Sequence, residues 1–217
     1  MKEYSAYLFD LDGTLVDTAP DLMDALNHAL NSISLPSVNL ELTRKWVGFG
    51  GRVMLKQAME SFSNEHNVEP DIEHLYRVFV DYYRAQTSEK SQPYPDVIDT
   101  LQKLYQRTGK LAVVTNKAEH LALKCLDELD LTRFFNVVVG GDTLQVAKPE
   151  AEPVFYACNE LEVKTADTLF VGDSKTDLDC ARNAGCDVVI MADGYYGNVE
   201  PQSMGADAII STFRELI

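Results

Sequence analysis

The stretch Ala6-Tyr7-Leu8-Phe9-Asp10-Leu11-Asp12-Gly13-Thr14 (residues 6–14) sets an apolar run directly against two acidic residues. An unbroken apolar run of this length reads as a strand buried on both faces, as in a parallel sheet. In extended backbone, residues two apart share a side. Asp10 and Asp12 are therefore expected close together at the strand's carboxyl end, the edge where open α/β sheets bind ligands. Gly13 permits a tight turn and lets backbone N–H groups approach an anion.

Further apolar runs follow: LAVVT (111–115), VVV (137–139), TLFV (168–171), DVVI (187–190) and the shorter AII (208–210). Helical patterns alternate with them at about 95–108, 118–130, 150–161 and 175–184, with Gly109 and Gly185 where helices would stop. This alternation predicts an α/β fold, a doubly wound parallel sheet with a Rossmann-like core. Residues 18–88 break the rhythm. They carry helical patterns only, DLMDALNHAL (21–30), RVMLKQAMES (52–61) and DIEHLYRVFVDYYRAQ (71–86). The expected organisation is a core of residues 1–17 and 89–217 with a helical subdomain, 18–88, inserted after the first strand. The segment SQPYP (91–95) has the composition of a hinge, with Pro95 suited to the first turn of the next helix.

TLFV also ends on acid. It runs into Gly172-Asp173-Ser174-Lys175-Thr176-Asp177. If this strand neighbours the first, four carboxylates converge on one spot, which is costly unless a cation neutralises them. All-oxygen ligands suit Mg²⁺, which takes one or two carboxylates together with phosphate and water. Asp-x-Asp after a strand is weak as a metal signature, but its pairing with GDSxTD at the corresponding strand end is strong. Thr115-Asn116 ends another strand and offers a hydroxyl, an amide and backbone donors. Lys148, in VAKPE, is either a solvated loop lysine or the fixed cation that a phosphate facing carboxylates needs.

The 217 residues carry a net charge of −15, with 46% hydrophobic and 24% charged residues. The acidic excess argues against nucleic-acid binding. It would also repel a phosphate, so local cations must do the attracting. No apolar run approaches the roughly 18 residues of a membrane span. The first residues lack the pattern of a secretory signal, so a cytoplasmic location is expected. Cys125, Cys158, Cys180 and Cys186 form no CxxC pair and are expected reduced, in the core. His28, His66, His74 and His120 show no metal-ligand spacing and suit helix positions; Trp46 and the tyrosines of DYYRAQ suit packing within the helical segment.

With these motifs assembled, the chain resembles the haloacid dehalogenase superfamily of phosphohydrolases over essentially its full length. The resemblance rests on DLDGT (10–14), VVTN (113–116), the Lys of AKPE (147–150) and GDSKTD (172–177). The helical insertion looks like that family's cap. WVGFGGRVML (46–55), GGDTLQVAKPE (140–150) and GDSKTDLDCARNAGC with the later GYYG (172–197) resemble the phosphoglycolate phosphatase branch. Ala151 departs from the family's usual Pro. The resemblance implies Asp10 as nucleophile forming an aspartyl-phosphate, with Asp12 as acid and then base. It implies Thr115 and Lys148 on the transferring phosphoryl group. It implies Mg²⁺ on Asp10, Asp173 and the Asp12 backbone carbonyl, with Asp177 orienting that shell.

A small phosphorylated metabolite is the expected substrate, 2-phosphoglycolate foremost. A pyrophosphatase or a sugar-phosphate phosphatase remains an alternative. Asp12 argues against dehalogenases and phosphonate-cleaving relatives, which have no leaving alcohol to protonate. His28 comes too late for the cap histidine usual in the mutases. A phospho-Asp receiver, the non-enzyme alternative, would lack the insertion and carry its phosphorylated Asp on a later strand. In the cap, VGFGGR (47–52) puts glycines before a helix. Either Gly50, Gly51 and Arg52, with Lys45 nearby, receive a substrate carboxylate, or the glycines only make a turn and Arg52 is solvated. A monomer or a homodimer is expected.

Overall fold

The computed structural model describes residues 2–62 and 71–217. His66 lies outside them. Six strands form the main sheet: β1 (Ala6–Phe9), β4 (Leu111–Val114), β5 (Val137–Val139), β6 (Thr168–Gly172), β7 (Asp187–Met191) and β8 (Ala208–Ile210). All pairings are parallel, in the order β5-β4-β1-β6-β7-β8. β1 is thus central, with β6 beside it and Phe9 opposite Val171.

The strands are apolar throughout because both faces are covered. Tyr7, Phe9, Val113 and Val171 pack on one side with α5 (Val97–Thr108) and α6 (Glu119–Glu128). Leu8, Ala112, Phe170 and Val188 pack on the other with α7 (Glu152–Glu160) and α8 (Lys175–Ala184). Gly109 and Gly185 end α5 and α8 in the left-handed conformation that glycine adopts without a Cβ penalty. The short α9 (Pro201–Met204) precedes β8. All four cysteines are buried and unpaired. Among the described residues no helix is long and apolar enough to cross a membrane.

The helical segment contains α1 (Ala19–Ser32), α2 (Leu40–Trp46), α3 (Gly51–Phe62) and α4 (Ile72–Ala85). A further hydrophobic cluster is built on Leu26, Leu30, Leu55, Leu75 and Phe79, joined by Leu121 of α6 and by Tyr195, with Trp46 and Tyr82 at its margin. The chain enters and leaves through a two-residue antiparallel ribbon, β2 (Val16–Asp17) with β3 (Gln92–Pro93). Beside it the buried Asp21 carboxylate accepts from Ser91 N (2.7 Å) and Ser91 Oγ (2.6 Å), clamping α1 to the returning strand.

Three local expectations are corrected. The sequence shows no helical pattern over 40–46; α2 forms there because Asn39 caps it, accepting from Leu42 N at 2.9 Å, while Arg44 and Lys45 complement its carboxyl end. The ribbon was also unexpected, being too short to leave a periodic signal. Pro95 lies outside α5, because Asp96, in the left-handed conformation at φ 65°, occupies the cap position and the helix begins at Val97.

Candidate active site

Asp10 follows β1 and Asp173 follows β6, so parallel pairing carries both to the same sheet edge. Asp10 N donates to Val171 O at 2.9 Å, extending that register by one residue. Asp177 joins them from the first turn of α8. All three are buried, and one carboxylate oxygen from each lies within 4.8 Å of the others.

Each is held by its own local geometry. Asp173 accepts from Thr14 Oγ1 at 2.8 Å and from the backbone N–H of Tyr195. Gly13 (φ +87°) must be glycine here, since a Cβ would stand 2.4 Å from Asp173 Oδ2. Asp177 Oδ2 accepts from Ser174 N (3.0 Å) and Ser174 Oγ (2.6 Å) in a capping box. Its other oxygen accepts from Lys148 Nζ at 2.6 Å. The same ammonium lies 2.9 Å from Asp10 Oδ1.

Charge is unbalanced in this cluster. Burial pushes the Asp10 carboxyl up to about 7, against the pull of Lys148, with Asp177 and Asp12 adding repulsion. Asp173 is raised well above the usual carboxylate range by burial, then by Asp177 and Asp10. Burial works against the Lys148 ammonium, yet Asp10 and Asp177 hold its pKa above the ordinary lysine value. Three buried carboxylates around one ammonium, all oxygen donors, fit a hard divalent cation.

The expected convergence of four carboxylates is reduced to three. Asp12 turns its side chain away from the cluster because partners lie on the other side. Its Oδ1 accepts from Thr18 Oγ1 (2.7 Å) and Lys117 Nζ (2.9 Å), and its Oδ2 lies 3.2 Å from the same ammonium. Lys117 is buried and also donates to the Tyr83 hydroxyl of α4 at 2.8 Å. The sequence assigns no role to Lys117, and it marks Tyr83 only as a packing residue of the helical segment; Tyr83 does pack there, and its hydroxyl also meets Lys117. The available signal was position: Lys117 is two residues past Thr115 at the end of β4.

Between this edge and the helical segment lies a cavity of about 50 Å³, whose floor includes Asp10, Asp12, Thr115, Asn116 and Lys117. Gly48, Gly50, Gly51, Phe79 and Tyr83 form part of its roof. Asn116 Nδ2 ties floor to roof, donating to Lys148 O and Gly48 O, each at 3.1 Å. Arg52 does not line the cavity. Its guanidinium makes two bonds to Glu73 (2.8 and 3.0 Å) and lies 3.8 Å over the Tyr76 ring. Lys45 pairs with Glu41 at 2.9 Å and is likewise outside it.

Comparison with known proteins bears on the family and the fold. Residues 7–191 match the family model of the haloacid dehalogenase-like hydrolases. A phosphoglycolate phosphatase of Agrobacterium fabrum is 39% identical over 209 residues, covering 96% of this chain and 89% of its own. One from Chromobacterium violaceum is 35% identical over 216 residues, covering 100% and 96%. The crystal structure of a predicted phosphoglycolate phosphatase from Haemophilus somnus superposes with a TM-score of 0.93 at 32% identity, covering 100% of this chain and 97% of that one.

Proposed function

We propose, from the premise that this chain belongs to the haloacid dehalogenase-like hydrolases and is a phosphoric monoester hydrolase, that it hydrolyses 2-phosphoglycolate to glycolate and phosphate through an aspartyl-phosphate on Asp10. The observation that carries the reading is the placement of Asp10. It stands on the floor of a small cavity, beside Lys148 and next to two further buried carboxylates.

A carboxylate is a weak nucleophile but needs no base to activate it at neutral pH. An Asp10 oxygen attacks phosphorus, and the bond from phosphorus to the substrate's alkoxy oxygen breaks. Asp12 gives that oxygen its proton. Asp12 then takes a proton from water as the water attacks the same phosphorus, and phosphate leaves with the Asp10 carboxylate regenerated. Thr115 and Lys148 hold the phosphoryl oxygens in line, the positioning on which phosphoryl transfer mainly depends. Asp10, Asp173 and the Asp12 carbonyl would hold Mg²⁺, with Asp177 orienting that set; bound there, the ion supplies charge stabilisation to the phosphoryl group. Residues 18–88 act as the cap that excludes water from the first step. A small diffusible substrate and four unpaired thiols suit a cytoplasmic enzyme.

The relatives named phosphoglycolate phosphatase support 2-phosphoglycolate over a sugar phosphate. The test is a phosphate-release screen with Mg²⁺, with EDTA in parallel, over 2-phosphoglycolate, pyrophosphate and the glucose phosphates. The expected result is release that needs the metal and a kcat/KM highest on 2-phosphoglycolate. Faster turnover of a glucose phosphate or of pyrophosphate would overturn the substrate. Undiminished release in EDTA would overturn the metal.

A further inference from the structure

The chemistry proposed above needs Asp12 to face the leaving-group oxygen. Yet Asp12 lies two residues from Asp10, close to a cluster that fits a divalent cation, and an unrestrained carboxylate would be drawn to that cation. Something must hold it out. Thr18 supplies one hydrogen bond to Oδ1. Lys117 supplies the charge, with its ammonium 2.9 and 3.2 Å from the two oxygens.

Lys117 is itself fixed from both sides of the cavity. Its backbone N–H donates to Thr115 Oγ1 at 3.3 Å, and its carbonyl accepts from Gly141 N at 2.8 Å. An ammonium has three protons, and Lys117 has three buried acceptors: the two Asp12 oxygens and the Tyr83 hydroxyl at 2.8 Å. Tyr83 comes from the cap, its ring stacked on Phe79 at 5.9 Å and 4°. Stability alone does not explain the arrangement, because buried ion pairs roughly break even against apolar replacements.

We propose that Lys117, oriented by Tyr83, is a positioning residue that holds the Asp12 carboxylate toward the leaving group, so the acid–base half of the site is complete only with the cap seated. This rests on the role proposed above for Asp12. Tyr83 is then a cap residue that acts on chemistry through Lys117 rather than by touching substrate.

Leaving groups separate this role from a merely structural one. Glycolate must be protonated as it departs from 2-phosphoglycolate; acetate departing from acetyl phosphate, a substrate of similar size, needs no proton. kcat/KM, which reports through departure of the leaving group, is measured on both substrates with Mg²⁺. For Lys117→Met the expected loss is about 10²-fold on 2-phosphoglycolate, the lower end of general-acid contributions, and for the nearly isosteric Tyr83→Phe, which acts only through Lys117, a smaller loss of about tenfold. On acetyl phosphate both lose less than about threefold on the same argument. Calorimetry without substrate should find Mg²⁺ bound at least as tightly by both variants as by the unsubstituted protein. Equal losses on the two substrates, an unaffected Tyr83→Phe, or a fall in Mg²⁺ affinity that tracks the loss of rate would each overturn the proposal. Asp12→Asn, run alongside, tells the two readings apart. If it also loses equally on both substrates, the acid role of Asp12 fails; if it shows the leaving-group dependence and the other two do not, only the positioning role fails.

Discussion

The ammonium of Lys148 lies 2.9 Å from Asp10 Oδ1, with both groups buried. The same ammonium bonds Asp177, which the α8 capping box fixes in turn. The position of Asp10 therefore depends on the start of a helix far along the chain. Removing one partner of a buried pair leaves the other charge uncompensated, at a cost of about 3–5 kcal/mol. Lys148→Met should lose stability of that order in metal-free urea unfolding above neutral pH, and Mg²⁺ should restore part of it. An unchanged midpoint with and without Mg²⁺ would contradict the geometry.

Metal-free stability should depend on pH in a sense opposite to that of ordinary ion-paired carboxylates. Burial holds Asp10 up to about 7 in the folded protein and Asp173 well above its usual range, against about 3.9 in an unfolded chain. Between about pH 4 and pH 7 the folded state thus binds more protons than the unfolded state. Its stability falls as pH rises through that window. Thermal melts in EDTA should show the decline, and saturating Mg²⁺ should flatten it. A metal-free Tm that climbs from pH 4 to 7 would refute the charge imbalance.

Gly13 joins a left-handed turn to the wall against which Asp173 rests. Gly13→Ala adds about 1–2 kcal/mol of left-handed strain and a Cβ 2.4 Å from Asp173 Oδ2. The variant should bind Mg²⁺ more weakly, by calorimetry, than strain alone would explain. Unchanged affinity would show that Asp173 has room to move.

Arg52 is occupied by Glu73 and Tyr76 on the outer side of the helical segment. Exposed pairs of this kind contribute little. Arg52→Ala should therefore leave kcat/KM for 2-phosphoglycolate within about twofold. A selective loss on 2-phosphoglycolate, with glucose phosphates spared, would show that the guanidinium leaves Glu73 to receive a carboxylate.

Much of the core was legible because it rests on strong local signals. The apolar runs at 6–9, 111–114 and 168–171 are strands for the reason that makes them apolar, burial on both faces, and β6 beside β1 then brings Asp173 to Asp10. What stayed hidden was decided by contacts across the cavity. Lys117 reads as a surface lysine until Asp12 and Tyr83 are placed around it. The direction of Asp12 follows from Lys117, so its departure from the carboxylate cluster was invisible too. Arg52 precedes an apolar helix face in the sequence, but only the fold sets Glu73 beside it.

Turnover by Asp10→Asn bears most directly on the account. The substitution removes the proposed nucleophile and also relieves repulsion among three buried carboxylates, so folding should persist by circular dichroism. With Mg²⁺ and 2-phosphoglycolate, phosphate release should fall by about 10⁴-fold or more, the scale on which loss of a covalent nucleophile is felt. A folded Asp10→Asn protein with near-normal turnover would contradict it.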